Sequence, residues 1–145
     1  MFTKKIIASV LTGVLLSATV STPLMAQQKQ KHKPFLIQNK LPHLTMKVKK
    51  MWDDPKLGLT KEQKKALLEV RKETLTQVKA LSHKIFPLER EIIKSAKKGA
   101  KPQSLKNKVD QLAKLRAEAT MVHLNCIYKT KQILTPHQMK VLKNH

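Results

Sequence analysis

Cysteine occurs once in 145 residues, at Cys126, so a single chain can close no disulfide and build no multi-thiolate metal cluster. Glycine occurs three times and aromatic residues make up 3% of the chain. That scarcity argues against a β-sandwich, whose strands favour aromatics, and against a dinucleotide-binding α/β unit, which needs a glycine-rich turn. Acid is scarce as well: 9 Asp and Glu stand against 30 Lys and Arg, a formal net charge of +21. Arginine contributes only Arg71, Arg90 and Arg116, so nearly all of the positive charge is lysine. The length suits one domain, and hydrophobic residues at 41% allow a core, though a lean one.

Long apolar runs are missing beyond the first segment. Lys4 and Lys5 precede an apolar run from Ile6 to Val20, and Leu24-Met25-Ala26 follows shortly after. A basic start, an apolar middle and a small-residue end predict a secretory signal peptide over 1–26, cut after Ala26. The run is short for a membrane span. Cleavage would remove only Lys4 and Lys5 among the charged residues. In a Gram-negative host the destination is the periplasm. Export alters the meaning of the charge. A pI near 10.3 ordinarily points to nucleic acid. The chain, however, has no arginine cluster, no interleaved aromatics and no nucleic-acid motif. We therefore expect no nucleic-acid partner, which leaves acidic polypeptides and other polyanions.

Residues 27–41 (QQKQKHKPFLIQNKL) are basic and without period, which predicts a disordered arm. Residues 42–145 carry helical patterning. Pro42 to Trp52 predicts a short amphipathic helix with Leu44, Val48, Met51 and Trp52 on one side, ended by Asp53-Asp54-Pro55. Thr60 is then an N-cap, and Gln63, three residues on, can reach back to its N–H, which makes a capping box. Val78, Leu81, Ile85, Leu88 and Ile92 follow at helical spacing. Pro87 lies inside that seam and predicts a kink or break near Lys84 to Pro87, with Glu89 and Glu91 in the first turn of the next segment. Gly99 suits a helix C-terminus and Pro102 the first turn of another helix. Leu105, Leu112, Ala119, Cys126 and Ile133 recur every seven residues, with Val109, Leu115 and Val122 widening that face. A second capping box starts a terminal helix at Thr135 and Gln138, with Pro136 at its first position and Leu134 and Met139 placed as a hydrophobic staple. The fold class is therefore all-α, with long antiparallel amphipathic helices and short flanking ones. Such a thin chain buries little of its surface, so we expect a homodimer.

Leu59-Thr60-x-x-Gln63 and Leu134-Thr135-x-x-Gln138 repeat one motif 75 residues apart. Together with Pro87-Leu88-Glu89-Arg90 and the stretch Asn125 to Gln138, they resemble the Spy/CpxP family of periplasmic proteins. The resemblance spans about Pro42 to Leu142. It implies a cradle-shaped dimer and an ATP-independent chaperone, or a relative that senses envelope stress or heavy metals. His137 departs from the acid common in the family at that place, whereas Glu62 keeps it.

No Walker-type nucleotide motif is present. A chaperone of this composition would attract acidic unfolded chains by charge and hold them weakly on apolar side chains. Candidate client-binding residues are Lys64, Lys65, Arg71, Lys72, Lys79 and Arg116, with Leu44, Met46, Met51 and Met121 as adaptable apolar partners. A rival reading is metal. His123 and Cys126 are neighbours on one helix face and could hold zinc or copper if His83, His137 or a dimer mate completed the site; a tail site at His32 and His43 is a weaker variant. A third is a regulator docking on a sensor-kinase periplasmic domain. Catalysis is not expected: Cys126 with His123 lacks an orienting third group, and Glu89 and Glu91 fall on different helix faces.

Overall fold

The structure is a computed structural model and describes residues 33–144. The expected signal peptide and the first part of the arm, His32 included, lie outside these residues. The fold consists of α1 (Leu44–Lys50), α2 (Lys61–Lys97), α3 (Pro102–Ile133) and α4 (Pro136–Lys143). No strand occurs among the described residues, and none of their helices is long and apolar enough to cross a membrane.

The turn into α2 is built from local chemistry. The Asp54 carboxylate accepts the Lys56 N–H at 2.8 Å, and the Asp54 carbonyl accepts the N–H groups of Leu57 and Gly58. Gly58 sits at φ +56°, a left-handed conformation that a side chain would disfavour by about 1–2 kcal/mol. This turn drives Leu57 into the core, where it is 2% exposed. Both capping boxes are formed: the Thr60 hydroxyl accepts from Gln63 N–H at 3.1 Å, and the Thr135 hydroxyl from Gln138 N–H at 3.2 Å.

The two boxes are also joined to each other. Gln63 Nε2 donates to Gln138 Oε1 at 2.9 Å, and Gln138 Nε2 donates to Gln63 Oε1 at 3.0 Å. The amides thus pair head to tail. Each spends its second donor on backbone preceding the other motif: Gln63 on the Ile133 carbonyl, Gln138 on those of Leu57 and Gly58. Each Oε1 also accepts the N–H of its own capping threonine. Around this clasp a cluster of Val48, Met51, Leu57, Leu67, Leu134 and Leu142 closes the base of the molecule, with the staple residue Met139 packed against it.

Above the base, α2 and α3 lie against each other. Of the expected kink or break, the break does not occur: α2 runs unbroken through Pro87. A mid-helix proline costs about 3 kcal/mol. The seam on either side offsets it, because Ile85 is fully buried against Ala119 and is flanked by Val78, Leu81, Leu112 and Leu115. Glu89 and Glu91 are consequently mid-helix and reach across to α3, Glu89 to Arg116 and Glu91 to Lys108. Val109, expected on the seam, is 47% exposed. The hairpin tip ends in a Schellman motif: Gly99 at φ +80° lets its own N–H reach Ala96 and the Ala100 N–H reach Ser95. Between Ile85 and Ala119 no side chain is buried.

The arm departs from expectation from Lys33 onward. Phe35 is 9% exposed and belongs to the α2–α3 cluster. The Leu36 N–H donates to Thr120 Oγ1 at 2.8 Å, and Arg116 donates to the carbonyls of Lys33 and Phe35. A single buried aromatic and a side chain that satisfies the backbone carbonyls are enough to fix a segment with no period of its own.

The clasp can be tested separately from the caps. Thr135→Ala removes one cap and should cost about 1 kcal/mol in urea unfolding. Gln138→Glu keeps the acceptor for Thr135 N–H but turns carboxylate oxygens toward Leu57, Gly58 and Gln63, and should cost about 3 kcal/mol at neutral pH. Equal losses in the two variants would mean that the amide pair adds nothing beyond capping.

Candidate functional site

α1 packs more closely on α3 and α4 than on α2, which it meets through Val48 and Leu67 in the base cluster. Its seam with α2 is therefore open, and a groove runs along it. One compartment, of about 370 Å³, is lined by Thr45, Val48, Lys49 and Trp52 from α1 and its end, and by Leu67, Leu68 and Arg71 from α2. The second, of about 190 Å³, has Leu44, Thr45 and Met46 on one side and Arg71, Thr74, Leu75 and Val78 on the other, with Phe35, His43, His123 and Cys126 beneath. Later residues of α1 face earlier residues of α2, so the two walls run antiparallel. Thr45 and Arg71 belong to both compartments and stand at the waist between them.

Charge in the groove is of one sign. No carboxylate lines either compartment, while Lys49 and Arg71 do. Elsewhere several of the few acids are taken up: Asp53 by Lys64, Glu73 by Lys129, Asp110 by Lys106. Half-buried Arg71 has no hydrogen-bond or ion-pair partner among the described residues. Beside it on α2, Lys65, Leu68, Lys72, Leu75 and Lys79 form an exposed stripe of alternating cation and leucine at three- and four-residue steps. Leu68 is 54% and Leu75 53% exposed, which is unusual for leucines on the longest helix of the fold.

The structure sorts the sequence-derived candidates. Lys65, Arg71, Lys72, Lys79 and Met46 lie in or beside the groove and are accessible. Lys64 stands at the groove's end, 5.7 Å from the Trp52 ring centroid, with its ammonium 2.7 Å from Asp53. Met121 is exposed on α3 but does not line the groove. Leu44 is buried but lines the wall of the second compartment. Two candidates are corrected. Met51 is buried in the base cluster, because the chain turns there and needs an apolar plug. Arg116 is spent internally: it pairs with Glu89 at 2.9 Å and holds two arm carbonyls, so it bolts α2, α3 and the arm together. The sequence did not single out Leu68 and Leu75, although their seven-residue spacing off the buried seam was the signal available.

His123 and Cys126 are both buried, at 5% exposure each. The Cys126 thiol lies 4.0 Å from the Thr45 hydroxyl. His123 is sandwiched between Phe35, with ring centroids 5.0 Å apart, and His43, at 4.7 Å and an interplanar angle of 17°. Near-parallel stacked imidazoles aim their in-plane lone pairs along parallel planes, so the two rings cannot converge on one zinc or copper ion. No set of three His, Cys, Asp or Glu side chains among the described residues is placed to hold a metal, and His83 and His137 are exposed elsewhere on the surface. Within one chain, the described residues assemble no metal centre around His123 and Cys126.

Neither ring nitrogen of His123 has a hydrogen-bond partner. Burial holds its pKa below the usual histidine value; His43 and Lys33 push the same way, and the Pro42 carbonyl opposes them without reaching hydrogen-bond geometry. His43 is lowered too, by burial and then by Lys33. A group whose folded pKa is depressed supplies stability that is full above its unfolded pKa, about 6.5, and is lost as pH falls through the folded value. Lys33 from the arm and His43 at the start of α1 act on this ring, Arg71 from α2 lines the same cavity, and no carboxylate shares it to compensate. Acidification from pH 7.5 to 5 should therefore lower the urea midpoint and quicken trypsin cleavage at Lys40. His123→Phe, which keeps the stack, should remove most of that pH dependence, and an unchanged dependence would refute the assignment to this ring.

No protein-family model, no curated protein and no solved structure matches this chain, so the groove is interpreted from its own residues.

Proposed function

We propose that the protein is an ATP-independent chaperone that holds unfolded polypeptides in the α1–α2 groove, and that it works in the periplasm. One observation carries this reading: an open, carboxylate-free apolar groove with an unpartnered arginine at its waist, bordered by exposed leucines and lysines. The leader-like first segment and the likeness of the two Leu-Thr-x-x-Gln motifs to the Spy/CpxP family support the compartment. The +21 charge draws acidic unfolded chains from a distance and speeds encounter. The hold is weak by construction. Burying two apolar side chains yields about 3–6 kcal/mol, which even before ordering costs are subtracted corresponds to dissociation constants no tighter than roughly tens of micromolar. A client held so loosely leaves without nucleotide hydrolysis.

Self-association belongs to the same reading. The α2–α3 tip buries no side chain within one chain, and Ile93 and Val109 are 48% and 47% exposed there. A second copy covering the tip gives a homodimer. Ile93→Asp, an exposed site, should then convert dimer to monomer in sedimentation at unchanged helicity, and an unaltered profile would remove the tip from the interface.

The chaperone reading is tested with the secreted form, without ATP, on a denatured client that aggregates on dilution. Near-stoichiometric protein should suppress light scattering. Leu68→Asp with Leu75→Asp should weaken suppression at least fivefold while leaving the helical signal intact, since both side chains are exposed. Client association should slow several-fold from low to physiological salt, where the screening length shrinks to about 8 Å. Absent suppression, or suppression indifferent to both leucines, would overturn the reading.

A further inference from the structure

The groove has more specificity than a plain apolar surface, and the inference drawn from it rests on the chaperone reading above. We propose that it selects extended segments in which a carboxylate side chain is flanked, two residues away on each side, by apolar side chains, with Arg71 taking the carboxylate. The order of chemistries along the walls is mainly apolar, cationic, apolar: Trp52, Val48 and Leu67 at one end, where Lys49 also joins the lining, Arg71 at the waist, Leu75, Val78 and Met46 at the other. Leu67, Arg71 and Leu75 are successive fours on α2, which places their levels about 6 Å apart at 1.5 Å rise per residue. An extended peptide presents alternate side chains to one face every 6.6–6.8 Å or so. The two repeats match, so a residue at each end and an acid between them can be seated together.

The compartments set the sizes of the apolar groups. A cavity of about 150 Å³ accommodates a benzene ring. The 190 Å³ compartment therefore takes one branched aliphatic side chain or a single ring, and the 370 Å³ compartment beside Trp52 takes a large aromatic. Arg71 supplies what the centre needs. A guanidinium is planar and binds a carboxylate through two parallel hydrogen bonds, and this one meets no carboxylate of its own chain among the described residues. The position of Arg71 between the two compartments also bears on the class of anionic ligand it would take. A fatty acid carries its carboxylate at one end; seated on Arg71 it fills one compartment and leaves the other wet. A polypeptide with the acid in the middle fills both.

The experiment measures fluorescence anisotropy of a blocked, dye-labelled peptide with phenylalanine, glutamate and leucine at alternate positions and serine between them. Companion peptides carry glutamine for glutamate, or the glutamate moved to one end. The unaltered protein should bind the first peptide at least tenfold more tightly than either companion. Arg71→Gln should abolish that preference, and Arg71→Lys should restore part of it. Circular dichroism on both variants checks that the helices are intact. Equal affinity for the three peptides, a preference surviving in Arg71→Gln, or dodecanoate displacing the peptide at matching affinity would each overturn the proposal. Aggregation suppression by the unaltered protein is read alongside. Suppression without any glutamate preference refutes the motif and leaves the chaperone reading standing, whereas no suppression refutes the reading itself.

Discussion

Two glutamine side chains, Gln63 and Gln138, hold the base of this fold. A primary amide has two donors and one well-exposed acceptor, and here nearly all of that capacity is used at once. Each amide caps its own helix, meets the other amide, and anchors the backbone in front of the other motif. Because Gln138 is 5% exposed, any of these bonds left unmade would strand a polar group in the core. The clasp therefore fixes where α2 and α4 begin relative to each other. That in turn fixes the cluster of Leu57, Leu67, Leu134 and Leu142 against which α1 is seated.

The groove is a consequence of that seating. α1 is tied to the α3–α4 side, as in the Lys47 ammonium reaching the Leu142 carbonyl at 3.1 Å, and its other flank is left facing α2 across open space. A chain with so few acids cannot neutralise every cation internally. Five of its acids pair with Lys64, Lys106, Lys108, Arg116 and Lys129, and Arg71, which lines both compartments of the groove, meets none of them. Three of those pairs bolt the α2–α3 hairpin, and no carboxylate lines the groove.

Much of the fold was legible in the sequence because its signals are local. Thr60 with Gln63, Thr135 with Gln138, Gly99 and the seven-residue series ending at Ile133 each act within a turn or two, and local rules suffice for them. Pro87 misled because its penalty is local while the compensation, Ile85 against Ala119, comes from another helix. Arg116 misled for the same reason: a basic residue on a basic chain reads as surface until Glu89 and the arm carbonyls are placed around it. The arm was read as patternless, and one buried aromatic, Phe35, is too small a pattern to detect. Within the groove, the lysines and Arg71 were visible from charge alone, but their apolar partners Leu68 and Leu75 emerged only once the helix faces were known.

The contrast between the clasped base and the bare hairpin tip also sets an order of assembly. The contacts made near Gly99 join residues close in sequence, whereas the amide pair joins residues 75 apart. Closing a long loop first is entropically expensive, and closing it after the intervening hairpin has zipped costs far less. The tip is therefore expected to form first and the base to seal last. Until the seal forms, the helices exist without a defined groove, so the groove is the last part of the fold to take shape.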